Sequence, residues 1–130
     1  MISTIVVTLG NLAESLIDTS EKIIGESSAI TPFCIDWDND IDVVKARLGE
    51  RIGQVDQGDG VLLLTDIFGG TSTNIALAYQ KANKVEVVTG VNLPMIIKTL
   101  TLPNTMSVKE AALQIREQGR KAIYIASERL

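Results

Sequence analysis

The stretch V-V-T-L-G-N-L-A-E-S, Val6 to Ser15, reads as the end of a buried strand, a glycine turn at Gly10 and the start of a helix. Upstream, Ile2 to Thr8 is a β-branched, largely apolar run, the mark of a strand covered on both faces. Downstream, Asn11 with Glu14 three residues on has the spacing of a capping box. Leu12, Leu16, Ile23 and Ile24 fall near one helical face, and Gly25 is placed as a stop. A strand that runs straight into a helix opens a βα unit. In α/β proteins that junction commonly carries reactive groups. Here the residue before the glycine is Leu9, which has no acid–base or nucleophilic chemistry.

The alternation continues along the chain. Phe33 to Asp36 is a second short strand, and Asp38, Asn39 and Asp40 open a helix with an apolar stripe at Ile41, Val44, Leu48, Ile52 and Val55. Val61 to Thr65 is a third strand, followed by D-I-F-G-G-T-S-T-N and a helix through Ile75, Ala78, Tyr79 and Ala82. Val85 to Thr89 is a fourth. Pro94 suits the first turn of a helix to about Leu100, and Ser107 with Glu110 caps another to about Lys121. Ala122 to Ala126, A-I-Y-I-A, reads as a last strand. Strands alternating with helices predict an α/β fold, a flavodoxin-like doubly wound sheet in the order 2-1-3-4-5. Its expected extent is a single domain over residues 1–130.

Composition narrows the function. The chain is 45% hydrophobic with only 4% aromatic residues, so its core must be aliphatic. A net charge of −4 argues against a nucleic-acid surface, which needs clustered Lys and Arg. Cys34 is the single cysteine and reads as core packing in a strand; with no disulfide possible, a reduced cytoplasmic compartment is expected. The N-terminus lacks the basic region of a signal peptide, and no apolar stretch approaches a membrane span. There is no histidine at all. That removes the usual base near neutral pH and the commonest transition-metal ligand, so no metal and no cofactor are expected.

Ligands of such sheets bind beyond the carboxyl ends of the strands, where the strand order reverses. Three loops should meet there: Thr8-Leu9-Gly10-Asn11, Thr65 to Thr71, and Thr89-Gly90-Val91-Asn92. Asp66 ends an apolar strand, where a carboxylate is costly unless it is hydrogen-bonded or working. Gly69, Gly70 and Thr71 make a plausible anion cradle, or only a capped turn in which Asp66 fixes neighbouring amides. Spacing leaves both open, because the stretch matches neither the P-loop nor the dinucleotide fingerprint. Trp37 is the only tryptophan; it either packs over its loop or anchors a partner.

Gly60 to Asn74, G-V-L-L-L-T-D-I-F-G-G-T-S-T-N, resembles a signature of the mannose-type enzyme IIA domains of the bacterial phosphotransferase system. Glu86 to Met95, E-V-V-T-G-V-N-L-P-M, resembles the family's second signature, and Val6 to Ser15 corresponds to the segment that normally reads Thr-His-Gly. The resemblance spans essentially the whole chain. It implies phosphoryl transfer from a histidine phosphocarrier to a IIB component through a histidine at the end of the first strand. It places that histidine at Leu9, the aspartate that orients it at Asp66, and the receiver of the phosphoryl oxygens at Gly69 to Thr71. Thr8, Gly10, Phe68 and Asn92 would belong to the surrounding partner surface. Family members are typically dimers in which the last strand, here Ala122 to Ala126, lies antiparallel on the partner's sheet.

Two departures stand out: Leu9 where the histidine belongs, and Ser72 where a proline commonly follows Thr71. A hydrocarbon cannot replace a nitrogen nucleophile. The expectation is therefore a non-phosphorylatable binding or regulatory homologue, at most peripheral to a membrane sugar permease. The alternatives are a phosphorylation-blocked variant of an active carrier, or a receiver-like domain with Asp66 as phosphoacceptor. The receiver reading is weakened by Thr8-Leu9-Gly10 and Ser127-Glu128, where acidic and lysine residues would be needed.

Overall fold

A computed structural model describes residues 1–129. Its element order is β1 (Ser3–Leu9), α1 (Leu12–Ile24), β2 (Ile30–Ile35), α2 (Ile41–Val55), β3 (Val61–Thr65), α3 (Thr71–Leu77), β4 (Val85–Thr89), α4 (Leu93–Thr99) and α5 (Val108–Lys121), then a 3₁₀ turn at Ala126–Glu128. The sheet is parallel throughout, in the order β2-β1-β3-β4. The chain reverses direction across the sheet between β1 and β3, so the loops after these two strands flank the switch point.

The two central strands explain the fold. Ile5, Val6, Val7 and Leu62 to Leu64 are fully buried, because helices cover both faces. Alternation then sorts them into two aliphatic layers. Ile5, Val7 and Leu63 meet Val44, Leu48 and Ile52 of α2 and Ile75 of α3. Val6, Leu62 and Leu64 meet Ala13 and Ile17 of α1, Ile96 of α4 and Ile115 of α5. Burying each such Leu or Ile is worth roughly 1.5–3 kcal/mol. Pro32 is tolerated in β2 because that strand is an edge. Arg51 reaches over it, donating to the Pro32 carbonyl at 3.1 Å and lying over the Phe33 ring.

Three expectations are corrected. First, the stripe of α1 is shifted: Leu12, Ile23 and Ile24 are exposed and Leu16 is only partly buried against the core, while Ala13, Ile17 and Ser20 face inward. The contact stripe lies one residue on, where small side chains let the helix approach the sheet. Asn11 makes no side-chain cap; the hydroxyl of Thr8 accepts the Ala13 amide at 2.8 Å instead. Second, Ile41 is exposed, and the stripe of α2 begins at Val44. Third, Ala122 to Ala126 pairs with no strand of its own sheet. A strand exists only by pairing with an edge, and here the Ile123 amide is held by the Arg120 carbonyl at the end of α5. Ile123, Tyr124 and Ile125 are left exposed, with the Arg129 guanidinium over the Tyr124 ring.

Gly60 marks where the entry into β3 is tight. Its φ is +100°, and an added Cβ would stand 3.0 Å from the Lys84 carbonyl and 3.0 Å from Val108 Cβ. At Gly58 φ is +96° but nothing lies within 4 Å of such an atom. Gly60→Ala is expected to lower unfolding stability by more than about 1 kcal/mol, and Gly58→Ala by distinctly less. Urea denaturation of the two variants checks the difference.

Candidate functional site

The ends of β1 and β3 are joined through one side chain. Asp66 Oδ2 accepts the Leu9 amide at 3.0 Å, and Oδ1 accepts the Ile67 amide at 2.9 Å. The Ser72 hydroxyl, from the first turn of α3, also donates to Oδ1. The carboxylate at the end of an apolar strand is thus met by donors from β1, its own loop and α3. The neighbouring amide expected from sequence is present, and Ser72 adds a hydroxyl. Thr8 is fully buried and spent on capping α1.

A second tie lies beneath the first. The Thr65 and Thr73 hydroxyls are 2.7 Å apart, and Thr73 also donates to the Ile67 carbonyl at 2.6 Å. The loop from Thr65 to Gly70 is therefore pinned at both ends by α3. Gly69, at φ +84°, completes the turn, and the Gly70 amide donates to the Ile67 carbonyl at 3.2 Å. Gly10, at φ +60°, makes the corresponding turn after β1, its amide on the Ile35 carbonyl of β2 at 2.9 Å. The third loop joins through the Val91 amide, which donates to the Thr65 carbonyl at 2.9 Å.

Beyond these turns the predicted residues separate into two places. Leu9 and Thr71 line a cavity of about 140 Å³ with Ile35, Asp36, Trp37, Asn39, Ile41, Val44 and Ile75. Lys45 and Asn74 line a second cavity that shares Ile41, Thr71 and Ile75 with it. Phe68 and Asn92 lie elsewhere, on a groove of about 500 Å³ between β4 and α5. Asn92 caps α4, accepting the Met95 amide at 3.1 Å. Leu9 is half-buried against the α2 layer, so its apolar neighbours at the surface are Trp37 and Ile41 rather than Phe68.

Trp37 is 77% exposed and does not pack over its loop. Sequence reasoning missed Ser72 and Thr73 as partners of the strand-end residues. The available signal was hydroxyl residues at the start of a helix directly after an aspartate turn. No group of three or more His, Cys, Asp or Glu residues that could hold a metal ion stands among the described residues. None of the described helices is long and apolar enough to cross a membrane.

A parallel α/β sheet with its clustered loops at the switch point is a flavodoxin-like domain. The family model described as PTS system fructose IIA component, the EIIA-man family, matches residues 3–116, and the chain belongs to that family. It is 25% identical over 131 residues to the PTS system fructose-specific EIIA component of Bacillus subtilis, covering 100% of this chain and 90% of that protein. It is 27% identical over 128 residues to the PTS system mannose-specific EIIAB component of Escherichia coli, covering 94% of this chain but only 39% of that longer protein. Among solved structures, a PTS IIA protein associated with the fucose utilization operon of Streptococcus pneumoniae superposes with a TM-score of 0.86 at 20% identity, over 98% of this chain and 95% of that one.

Removing the carboxylate would orphan two amides and a buried hydroxyl. Asp66→Ala is expected to cost about 1–3 kcal/mol. Asp66→Asn is also expected to destabilise, because its amide group would turn a donor toward the Leu9 or Ile67 N–H. Thermal unfolding checks both; unchanged melting would remove Asp66 from this role.

Proposed function

We propose that this chain is a mannose-type IIA homologue that docks phosphotransferase partners without carrying a phosphoryl group. One observation supports this above the others: residue 9, at the end of β1, is leucine, and the chain contains no histidine. A phosphoryl acceptor needs a lone pair with a suitable pKa. Leu9 offers only hydrocarbon, in the position that the family resemblance assigns to histidine.

What surrounds Leu9 is suited to contact. Trp37 and Ile41 are exposed at the cavity mouth. Exposed aromatic and aliphatic side chains grouped about a concave site are the usual material of a binding hot spot. In this reading Gly69, Gly70 and Thr71 still receive an anion, so that docking senses whether the partner is phosphorylated. The partners are the histidine phosphocarrier and a IIB component. The protein acts in the cytoplasm as a single domain over 1–130, at most peripheral to the sugar permease, with no cofactor and no nucleic acid.

The assembly belongs to the same reading. Ile123, Tyr124 and Ile125 form an exposed apolar segment, and β4 is a sheet edge flanked by a groove that Ile123 also lines. A bare edge and a bare apolar segment are both liabilities. Pairing of Ala122 to Ala126 with the sheet of a second copy removes both. The expected state is a homodimer, and sedimentation at micromolar concentration checks it.

Supplied with phosphoenolpyruvate, enzyme I and the phosphocarrier, the unmutated chain is expected to gain no acid-labile phosphate. Titration with phosphocarrier and IIB proteins, with and without their phosphoryl groups, is expected to show binding that depends on the phosphoryl state. Specific labelling of the unmutated chain would overturn the reading. So would no binding of either partner at about 100 μM, where encounters of roughly −5 to −6 kcal/mol still register.

A further inference from the structure

We infer that Ser72 is a positioning residue that weakens Asp66 as an acceptor for any donor on the side chain of residue 9, so that two positions close the acceptor site and not one. The inference rests on the reading of residue 9 as the acceptor position.

The argument is one of capacity. A carboxylate has about four lone-pair directions. Asp66 has filled three: the Leu9 amide on Oδ2, and the Ile67 amide and Ser72 hydroxyl on Oδ1. Two of these donors belong to the backbone of β1 and of the loop itself, and no side-chain substitution removes them. Ser72 is the only one supplied by a side chain. It is 0% exposed, so water cannot take over its hydrogen bond. An O–H donor on an ionised carboxylate is among the stronger hydrogen bonds and takes up part of the acceptor's charge. The neighbouring hydroxyl, Thr73, is committed to Thr65 and to the Ile67 carbonyl and does not compete.

A donor on residue 9 would meet this arrangement at close range, since the backbone of that residue is already 3.0 Å from Oδ2. It would find one open direction, on a carboxylate whose charge is already shared among three donors. Without the Ser72 hydroxyl, Oδ1 regains a lone pair and the carboxylate has more of its charge to offer, while both backbone ties persist. Restoring an imidazole at position 9 is therefore not enough to restore its partnership with Asp66.

The absence of histidine makes this directly measurable. Leu9→His introduces the only imidazole in the chain, whose ring protons titrate in NMR without overlap. A carboxylate that accepts from imidazolium favours the charged form and raises its midpoint. The titration midpoint of Leu9→His/Ser72→Ala is expected to lie at least one pH unit above that of Leu9→His, a tenfold change in the protonation equilibrium. Ser72→Gly in place of Ser72→Ala deletes the same hydroxyl and is expected to act alike. Asp36 and Lys45, which line the cavity beside Leu9 and the one adjoining it, are common to all variants, so the difference reports Asp66. Labelling by the phosphocarrier is expected to be at least tenfold faster in the double variants than in Leu9→His. Equal midpoints would overturn the inference. Labelling of the unmutated chain would instead overturn the proposed function, and would leave the comparison of midpoints standing.

Discussion

The carboxylate of Asp66 is the constraint on which the carboxyl end of this domain depends. It sits half-buried where β3 leaves the apolar core, where a carboxylate without hydrogen-bond donors is destabilising. The chain meets that cost locally, with amides from Leu9 and Ile67 and the hydroxyl of Ser72. In doing so it welds β1 to β3 across the switch point, and ties both to α3. The Thr65–Thr73 pair repeats the tie one layer down. Rigid loops at the switch point are what any docking or transfer function there requires, and this residue supplies the rigidity whether or not chemistry takes place.

Much of the fold was legible because β1 and β3 are coded without ambiguity. A run such as V-L-L-L-T has no amphipathic alternative, and burial on both faces forces helices onto both sides. The helix starts were legible where a side chain caps its own turn, as at Asp40, Asn92 and Ser107. Asn11 failed because the hydroxyl that caps α1 comes from Thr8, five residues before the amide it receives. Fixed offsets describe caps within a helix, not donors and acceptors that span a strand-to-helix turn. The stripe of α1 was misplaced for a related reason. Size was read as burial, whereas close helix–sheet contact selected Ala13 and Ser20. The segment A-I-Y-I-A has strand composition but not strand structure, since composition cannot supply an edge to pair with.

The candidate site was legible at its chemical positions and not in its arrangement. Leu9 and Asp66 were identifiable because each is the wrong residue for its setting by simple chemistry: hydrocarbon at a reactive junction, charge at the end of an apolar strand. Phe68 and Leu9 were expected to share one patch, since their loops meet. A side chain on a turn points by its own backbone angles, and Phe68 lies along the β4–α5 groove while Leu9 faces α2. Trp37 takes the place beside Leu9 that sequence proximity could not give it, 28 positions away.

In the proposed reading, Leu9 and Ser72 bear on how a transfer site becomes a docking site. Loss of a polar side chain beside a half-buried carboxylate leaves an acceptor short of a donor, at up to roughly 1–3 kcal/mol. A chain changed only at position 9 would carry that deficit. This chain does not, because a hydroxyl on α3, at a position where the family commonly has proline, fills it. Proline has no donor to offer, so the serine does something its counterpart cannot. In the proposed reading the two residues are one adaptation: the nucleophile is gone, and the carboxylate that would have held it has been given another partner. Such mutual fit favours natural divergence over a single blocking change. It also accounts for the intact turns around Leu9, since a site repaired in this way retains its shape, and shape is what a docking partner reads.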